Sequence, residues 1–332
     1  MAAAPRGTLG AMSSPSQAAS PDTPSSATIR LAAQPASRAP LGIGMVLLAA
    51  VLWGTTGTAQ SLAPSGLAPV WVGALRLLIA GAFFAALLRW QGGARGLGAL
   101  PWRGVLAGGV CVAAYNLSFF AGVKASGVAL GTAIAIGSGP IWAGLLQTVV
   151  QRRWPAAVWW AGTLLGVAGG AAMALDGRTS VQAPPGGIAL CLVAGLSYAA
   201  YALVNQRLVA RAAPGAVNLA VFGSAALLSL PAAFAIAGPL AVSARAWGVV
   251  LYLGLVATGV AYLLFTHALR HISGATGVTL ALAEPVVAFC LAVAVVGESP
   301  SAMAVWGLAG VIGGLLIVVW SEIRGRRGAA AG

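Results

Sequence analysis

Two ionisable side chains stand inside otherwise apolar runs of this 332-residue chain: Glu284 in LALAEPVVAF and Arg76 in VGALRLLIAG. Charge in such a setting is rare and marks a functional position by default. Three roles are open to Glu284: a proton carrier, a ligand for a substrate ammonium group, or a structural acceptor for neighbouring donors. Pro285 follows it and has no N–H, so a carbonyl about one turn earlier is expected to be left free. Arg76 either reaches Glu284 or snorkels outward along its aliphatic stem. Counting residues from the span ends puts Glu284 ~12 Å and Arg76 ~10 Å into the bilayer from opposite faces, ~8 Å apart along the normal. That separation favours the snorkel over a direct ion pair.

Uncharged polar and aromatic residues recur at helical spacing nearby. Trp53, Thr56 and Gln60 fall at i, i+3, i+7, as do Tyr198, Tyr201 and Asn205. Thr258, Tyr262 and Thr266 fall at i, i+4, i+8, and Tyr115, Asn116 and Ser118 form a further cluster. Any one of these is accounted for by a hydrogen bond between helices. Four stripes together point to a shared polar-aromatic cavity, because unpaired donors are costly in hydrocarbon. The expected substrate-binding residues are therefore Trp53, Tyr115, Asn116, Tyr198, Tyr201, Tyr262 and Glu284. Arg76, Pro140 and Pro285 are assigned gating or structural roles.

The elements that must hold these residues are apolar stretches near 41–62, 69–89, 104–123, 126–149, 156–175, 187–207, 215–237, 246–267, 276–296 and 302–321. Each is close to the ~20 residues that a helix needs to cross a ~30 Å core. Composition agrees: 59% of the chain is apolar and 7% charged. Threading the stretches from inside to outside leaves Lys124, Arg178 and Arg245 on the far face and Arg76 within a span. All the other arginines, Arg6 through Arg327, fall on the near face, the positive-inside pattern that puts both termini in the cytoplasm. A net charge of +13 would suggest nucleic acid in a soluble chain, but here the arginines cluster at span ends, so no nucleic-acid partner is expected.

Catalytic chemistry lacks its parts. Two histidines, both near one boundary, and one acid within the spans make neither a metal site nor a nucleophile–base pair. HExxH, GxSxG and Walker elements are absent from the sequence, which speaks against zinc hydrolysis and ATP-driven pumping. Neither an enzyme, a metal nor a cofactor is expected. Cys111, Cys191 and Cys290 lie in spans and are read as small packing residues. Residues 1–40, rich in Pro, Ser and Ala, read as a disordered cytoplasmic tail. Glu298, Ser299 and Pro300 are expected to start the tenth span as a cap and first turn. Residues 322–332 read as a short cytoplasmic tail.

The chain also repeats itself. Pro140, Pro155 and Gly162 recur as Pro285, Pro300 and Gly307, each 145 residues on. The same offset pairs Trp53 with Tyr198 and Gln60 with Asn205. Each unit, 41–175 and 187–321, holds five spans, and because five is odd the second must enter the bilayer from the opposite side. The expected fold is an all-α membrane protein of ten transmembrane helices arranged as two inverted five-helix repeats. Such repeats recur in secondary transporters, with the substrate at their interface near the midplane.

LRLLIAGAFF around Arg76, SGP at Pro140, THALRHISGATG, LAEPVVAF and VVGESPS together resemble the drug/metabolite transporter superfamily, in its EamA-type branch. The likeness covers residues 41–321, although Arg152-Arg153 stands where the second repeat has Gly297-Glu298. It implies a carrier in the cytoplasmic membrane, exporting amino acids or related metabolites more often than importing them. The expected function is movement of a small amphipathic metabolite by alternating access. A passive channel or a lipid-linked metabolite flippase of the same fold is the alternative. Expected partners are a small-molecule substrate and the lipid bilayer; proton coupling and a homodimer are left open.

Overall fold

A computed structural model describes residues 38–62, 67–93, 96–152, 154–175, 184–240, 242–297 and 299–331. The expected tail up to residue 37, Arg153 and Glu298 lie outside the described residues, as does the side chain of Gln60. Among the described residues are ten helices long and apolar enough to cross a membrane: Ala39–Ala59, Pro69–Trp90, Trp102–Ser126, Leu130–Val150, Ala157–Ala174, Pro185–Val209, Pro214–Ala237, Ala246–Ala268, Gly274–Val295 and Ala302–Gly325. They match the ten apolar stretches to within a few residues and are called the first to tenth spans below.

Their packing follows the repeat. Shifting by five spans exchanges the two halves, and the main interfaces obey that exchange. The third span packs on the sixth as the eighth packs on the first; the fourth packs on the sixth as the ninth packs on the first. Second on seventh and fifth on tenth map onto themselves, so these pairs straddle the pseudo-twofold axis.

Glycine makes the fifth–tenth pair. Gly162 faces Gly314 and Gly169 faces Gly307, and the 145-residue offset turns one pair into the other. A Cβ on any of the four would lie 2.5 to 2.8 Å from a backbone oxygen of the facing helix. Lipid supplies no hydrophobic drive between helices, so this close backbone approach is what holds the axis together.

Three local expectations are revised. The tenth helix starts at Ala302, where Ser301 Oγ accepts the Ala304 N–H at 3.2 Å, so Ser301 rather than Ser299 is the capping side chain. The same helix continues to Ala331, turning the expected tail at 322–332 into helix through its first ten residues. There Arg324 stacks 4.2 Å over the Trp320 ring, an i, i+4 pair that favours helix. Cys191 is buried, whereas Cys290 is exposed on the outside of the bundle, so packing accounts for the first and not the second.

Irregular turns concentrate in the eighth and ninth spans. Leu253–Val260 and Ala292–Val296 are π-helical, and the ninth span breaks between Gly274–Leu280 and Ala283–Leu291. Its first-repeat counterpart, Val128–Gln151, runs unbroken through the buried Pro140.

The glycine crossing gives a direct test. Gly169→Val or Gly307→Val must push two backbones apart, and overpacking of this kind costs about 1–3 kcal/mol. Either variant is expected to melt several degrees lower in detergent, read by tryptophan fluorescence on heating, while Gly248→Val, where a Cβ meets nothing within 4 Å, leaves the midpoint unchanged.

Candidate functional site: a cavity between the two repeats

The cavity lies where the first, third and ninth spans meet the second, fourth, sixth and eighth. It holds about 120 Å³ and is lined by Trp53, Thr56, Arg76, Tyr115, Phe119, Thr132, Ala135, Ile136, Tyr198, Ala257, Tyr262, Val278, Ala281 and Glu284. That is room for several waters at 10–15 Å³ each. A recess of about 50 Å³ adjoins it, sharing Thr132 and Ile136 and walled by Val167, Leu282 and Pro285.

The broken ninth span places Glu284. Pro285 cannot donate to Ala281, and the carbonyl expected to be free is instead taken by the Glu284 N–H at 2.9 Å. Leu282 N–H likewise bonds Thr279 at 3.0 Å, so the chain tightens for one turn and restarts as helix at Ala283. Glu284 therefore sits in the first turn of a new helix, where the helix dipole favours a carboxylate. Gly54 of the first span lets this turn approach: a Cβ there would meet Val287 at 2.7 Å and the Glu284 carbonyl at 2.9 Å. The residue 145 positions earlier is Gly139, so the acid has no twin in the first repeat.

Arg76 does not snorkel. It is half-buried, lines the same cavity as Glu284, and its Nε is buried without a hydrogen-bond partner. The second span packs on the seventh and eighth, which turns Arg76 toward the interior rather than along the lipid boundary.

Aromatic rings form the walls. Tyr115 and Tyr198 meet with ring centres 5.6 Å apart, and Trp53 meets Tyr262 at 5.1 Å. Five of the seven expected substrate-binding residues thus come together: Trp53, Tyr115, Tyr198, Tyr262 and Glu284. Asn116 and Tyr201 do not line the cavity. Asn116 is buried against the second span beside Gly73 and donates to the Val112 carbonyl at 3.3 Å, because it is one residue and about 100° around the helix from Tyr115. Tyr201 lies one turn beyond Tyr198, fully buried among Phe222, Tyr262 and Phe265.

Tyr201 belongs to a closed layer on the side where the first span begins. Asn205 Nδ2 donates to Tyr201 Oη at 3.1 Å and to Thr266 Oγ1 at 2.9 Å. Thr266 donates to Asn218 Oδ1 at 2.7 Å, and Asn218 Nδ2 donates to the Tyr262 carbonyl at 3.1 Å. Asn205, Asn218 and Thr266 are completely buried. This chain of bonds ties the sixth, seventh and eighth spans together. Gln206, the next residue, separately ties the sixth span to the start of the ninth, donating to the Ile272 carbonyl at 3.2 Å and accepting from Gly274 N–H at 3.0 Å. Farther out, Glu322 of the tenth span accepts from Thr276 Oγ1 at 2.6 Å at the start of the ninth.

Sequence reasoning did not single out Phe119, Thr132, Ile136 or Asn218. The first three are ordinary residues of apolar spans. Asn218 carried a signal, as the one amide in the seventh span. No group of His, Cys, Asp or Glu suited to a metal occurs among the described residues.

Comparison with known proteins agrees with this architecture. A model of the EamA-like transporter family matches residues 40–175 and again 185–320, one match for each five-span repeat. The uncharacterized transporter YwfM of Bacillus subtilis (strain 168) is 39% identical over 273 residues, covering 82% of this chain and 92% of that relative. A solved crystal structure superposes with a TM-score of 0.73 at 20% identity, covering 85% of this chain and 98% of that one, which shows the shared fold. With both repeats matched and ten spans in place, this multi-pass membrane protein belongs to the EamA-like transporter family.

Proposed function

We propose that the protein is a secondary carrier that moves a small amphipathic metabolite, an amino acid or a close relative, by alternating access. The observation that carries this reading is a cavity at the interface of two inverted repeats, lined by a half-buried acid and an arginine, with a hydrogen-bonded layer on one side. Cargo polarity matches the lining: charge and hydroxyls around Glu284, Arg76 and the tyrosines, and an apolar recess behind Ile136 and Pro285. The positive-inside distribution supports a cytoplasmic-membrane location with both termini inside. In that orientation the Asn205–Thr266–Asn218 layer would serve as the inner gate. Export is the direction the family resemblance supports.

Counterflow in proteoliposomes tests the mechanism across amino acids, sugars and cationic dyes. A carrier accelerates uptake of labelled cargo when the vesicles are preloaded with unlabelled cargo; a channel or a flippase shows no such exchange, and that outcome would sink the reading.

Glu284 is the proposed coupling group, faced within the cavity by Arg76, Tyr115, Tyr198 and Tyr262. Glu284→Gln is expected to slow exchange and to abolish the response of net transport to a pH gradient. An unchanged rate and pH profile would remove the residue from the mechanism.

The gate makes a separate prediction. Thr266→Val deletes two links of a buried chain and leaves Asn205 and Asn218 each short of a partner, a cost of about 1–3 kcal/mol to the closed layer. The open form should gain roughly five- to hundredfold in population. On a cysteine-free background, Ala202→Cys, a fully buried position next to Tyr201 of this layer, is expected to react correspondingly faster with a thiol reagent once Thr266→Val is added; equal labelling rates would show that the layer does not gate.

A further inference from the structure

Within the spans an arginine demands a partner, since a charge left alone in hydrocarbon is expensive. Arg76 has an uncommon arrangement: its side chain lines the cavity, its Nε is buried, and that Nε has no hydrogen-bond partner. Glu284 lines the same space. The cavity thus carries one basic and one acidic group, with the aromatic rings of Trp53, Tyr115, Tyr198 and Tyr262 among its lining. An empty N–H at the edge of a guanidinium is half of a fork that fits a carboxylate in two parallel hydrogen bonds. No side-chain or backbone oxygen of the described residues fills that half.

We propose that Arg76 is the anion anchor of the cavity, holding the carboxylate of the cargo through its guanidinium edge while the cargo amine faces Glu284. The inference rests on the carrier reading and deepens it, by naming the residue that selects for a carboxylate. In the absence of cargo Arg76 keeps the unfilled donor. With cargo bound, the donor is filled, and the charges of cargo and cavity cancel in pairs. An apolar side chain then has the recess by Ile136, Leu282 and Pro285 to enter. Compounds with the amine alone leave Arg76 unfilled and place a second positive charge in the cavity, so they are rejected.

The experiment is counterflow in proteoliposomes of the full chain with labelled amino acids, their amides and their decarboxylated amines as probes. Wild-type protein, Arg76→Lys and Arg76→Gln are compared. The wild type is expected to favour each carried acid over its amide by about tenfold to a hundredfold, the size of a charge-assisted hydrogen bond. Arg76→Gln should abolish that preference by lowering acid exchange while sparing the amide, and Arg76→Lys should keep part of it. A second readout does not depend on transport rates: an amino acid carried by the wild type should raise its melting temperature in detergent, and Arg76→Gln should lose that shift. Equal exchange of acids and amides by the wild type overturns the anchor, as does an equal fall for both in Arg76→Gln. Vesicles that exchange sugars or dyes but no carboxylate overturn the anchor and leave the carrier standing. Vesicles that exchange nothing overturn the carrier, and the anchor falls with it.

Discussion

Two helices touching backbone to backbone set the frame of this protein. At the fifth and tenth spans, glycines 162, 169, 307 and 314 bring main-chain atoms to a distance no side chain would permit. In water, association of that kind would be driven by burying apolar surface; in lipid it rests on contact distance and on polar groups finding one another. The same logic operates at Gly54, which admits the irregular turn of the ninth span next to the first. The close crossings lie at the axis and at the edge of the cavity, and the larger side chains are left to fill or line the space between.

That division explains how polar residues are spent in two ways along a single helical stripe. On the sixth span Tyr198 borders the cavity, while Tyr201 and Asn205, one and two turns on, are consumed in bonds to neighbouring helices. On the eighth span Tyr262 borders the cavity and Thr266 joins the closed layer. Spacing places residues on a common face; depth along that face decides whether they meet solvent or one another. The closed layer is also cooperative in form at its centre, since Thr266 and Asn218 each serve as both donor and acceptor, while Asn205 donates twice and keeps its buried Oδ1 without a partner.

Much of this was legible before any coordinates. Ten spans, the repeat and its inversion follow from length, hydropathy and the parity of five, which are one-dimensional properties. Five of seven expected lining residues lie together for the same reason. The failures share a cause in three dimensions. Asn116 was grouped with Tyr115 by proximity in sequence, yet adjacent residues on a helix point in different directions. Depth alone favours an outward snorkel of Arg76 over a reach to Glu284, whereas the neighbours of its helix decide which way a long side chain turns. The free carbonyl expected before Pro285 assumed an unbroken helix, and the chain instead tightens so that Glu284 supplies the missing bond. Apolar lining such as Ile136 has no signature at all, because it looks like any residue facing lipid.

The asymmetry at position 139 has a thermodynamic consequence. The two halves share one layout, but glycine occupies the place where a duplicate carboxyl would stand. A machine with one titratable acid in its vestibule moves at most one hydrogen ion per cycle on that group. Against an electrical gradient, a single charge supplies about 2.3 kcal/mol per 100 mV, which sustains a solute ratio of about fiftyfold. Loss of symmetry at one residue would thus set a ceiling on accumulation: such a device suits the relief of overflow better than steep concentration of scarce solutes.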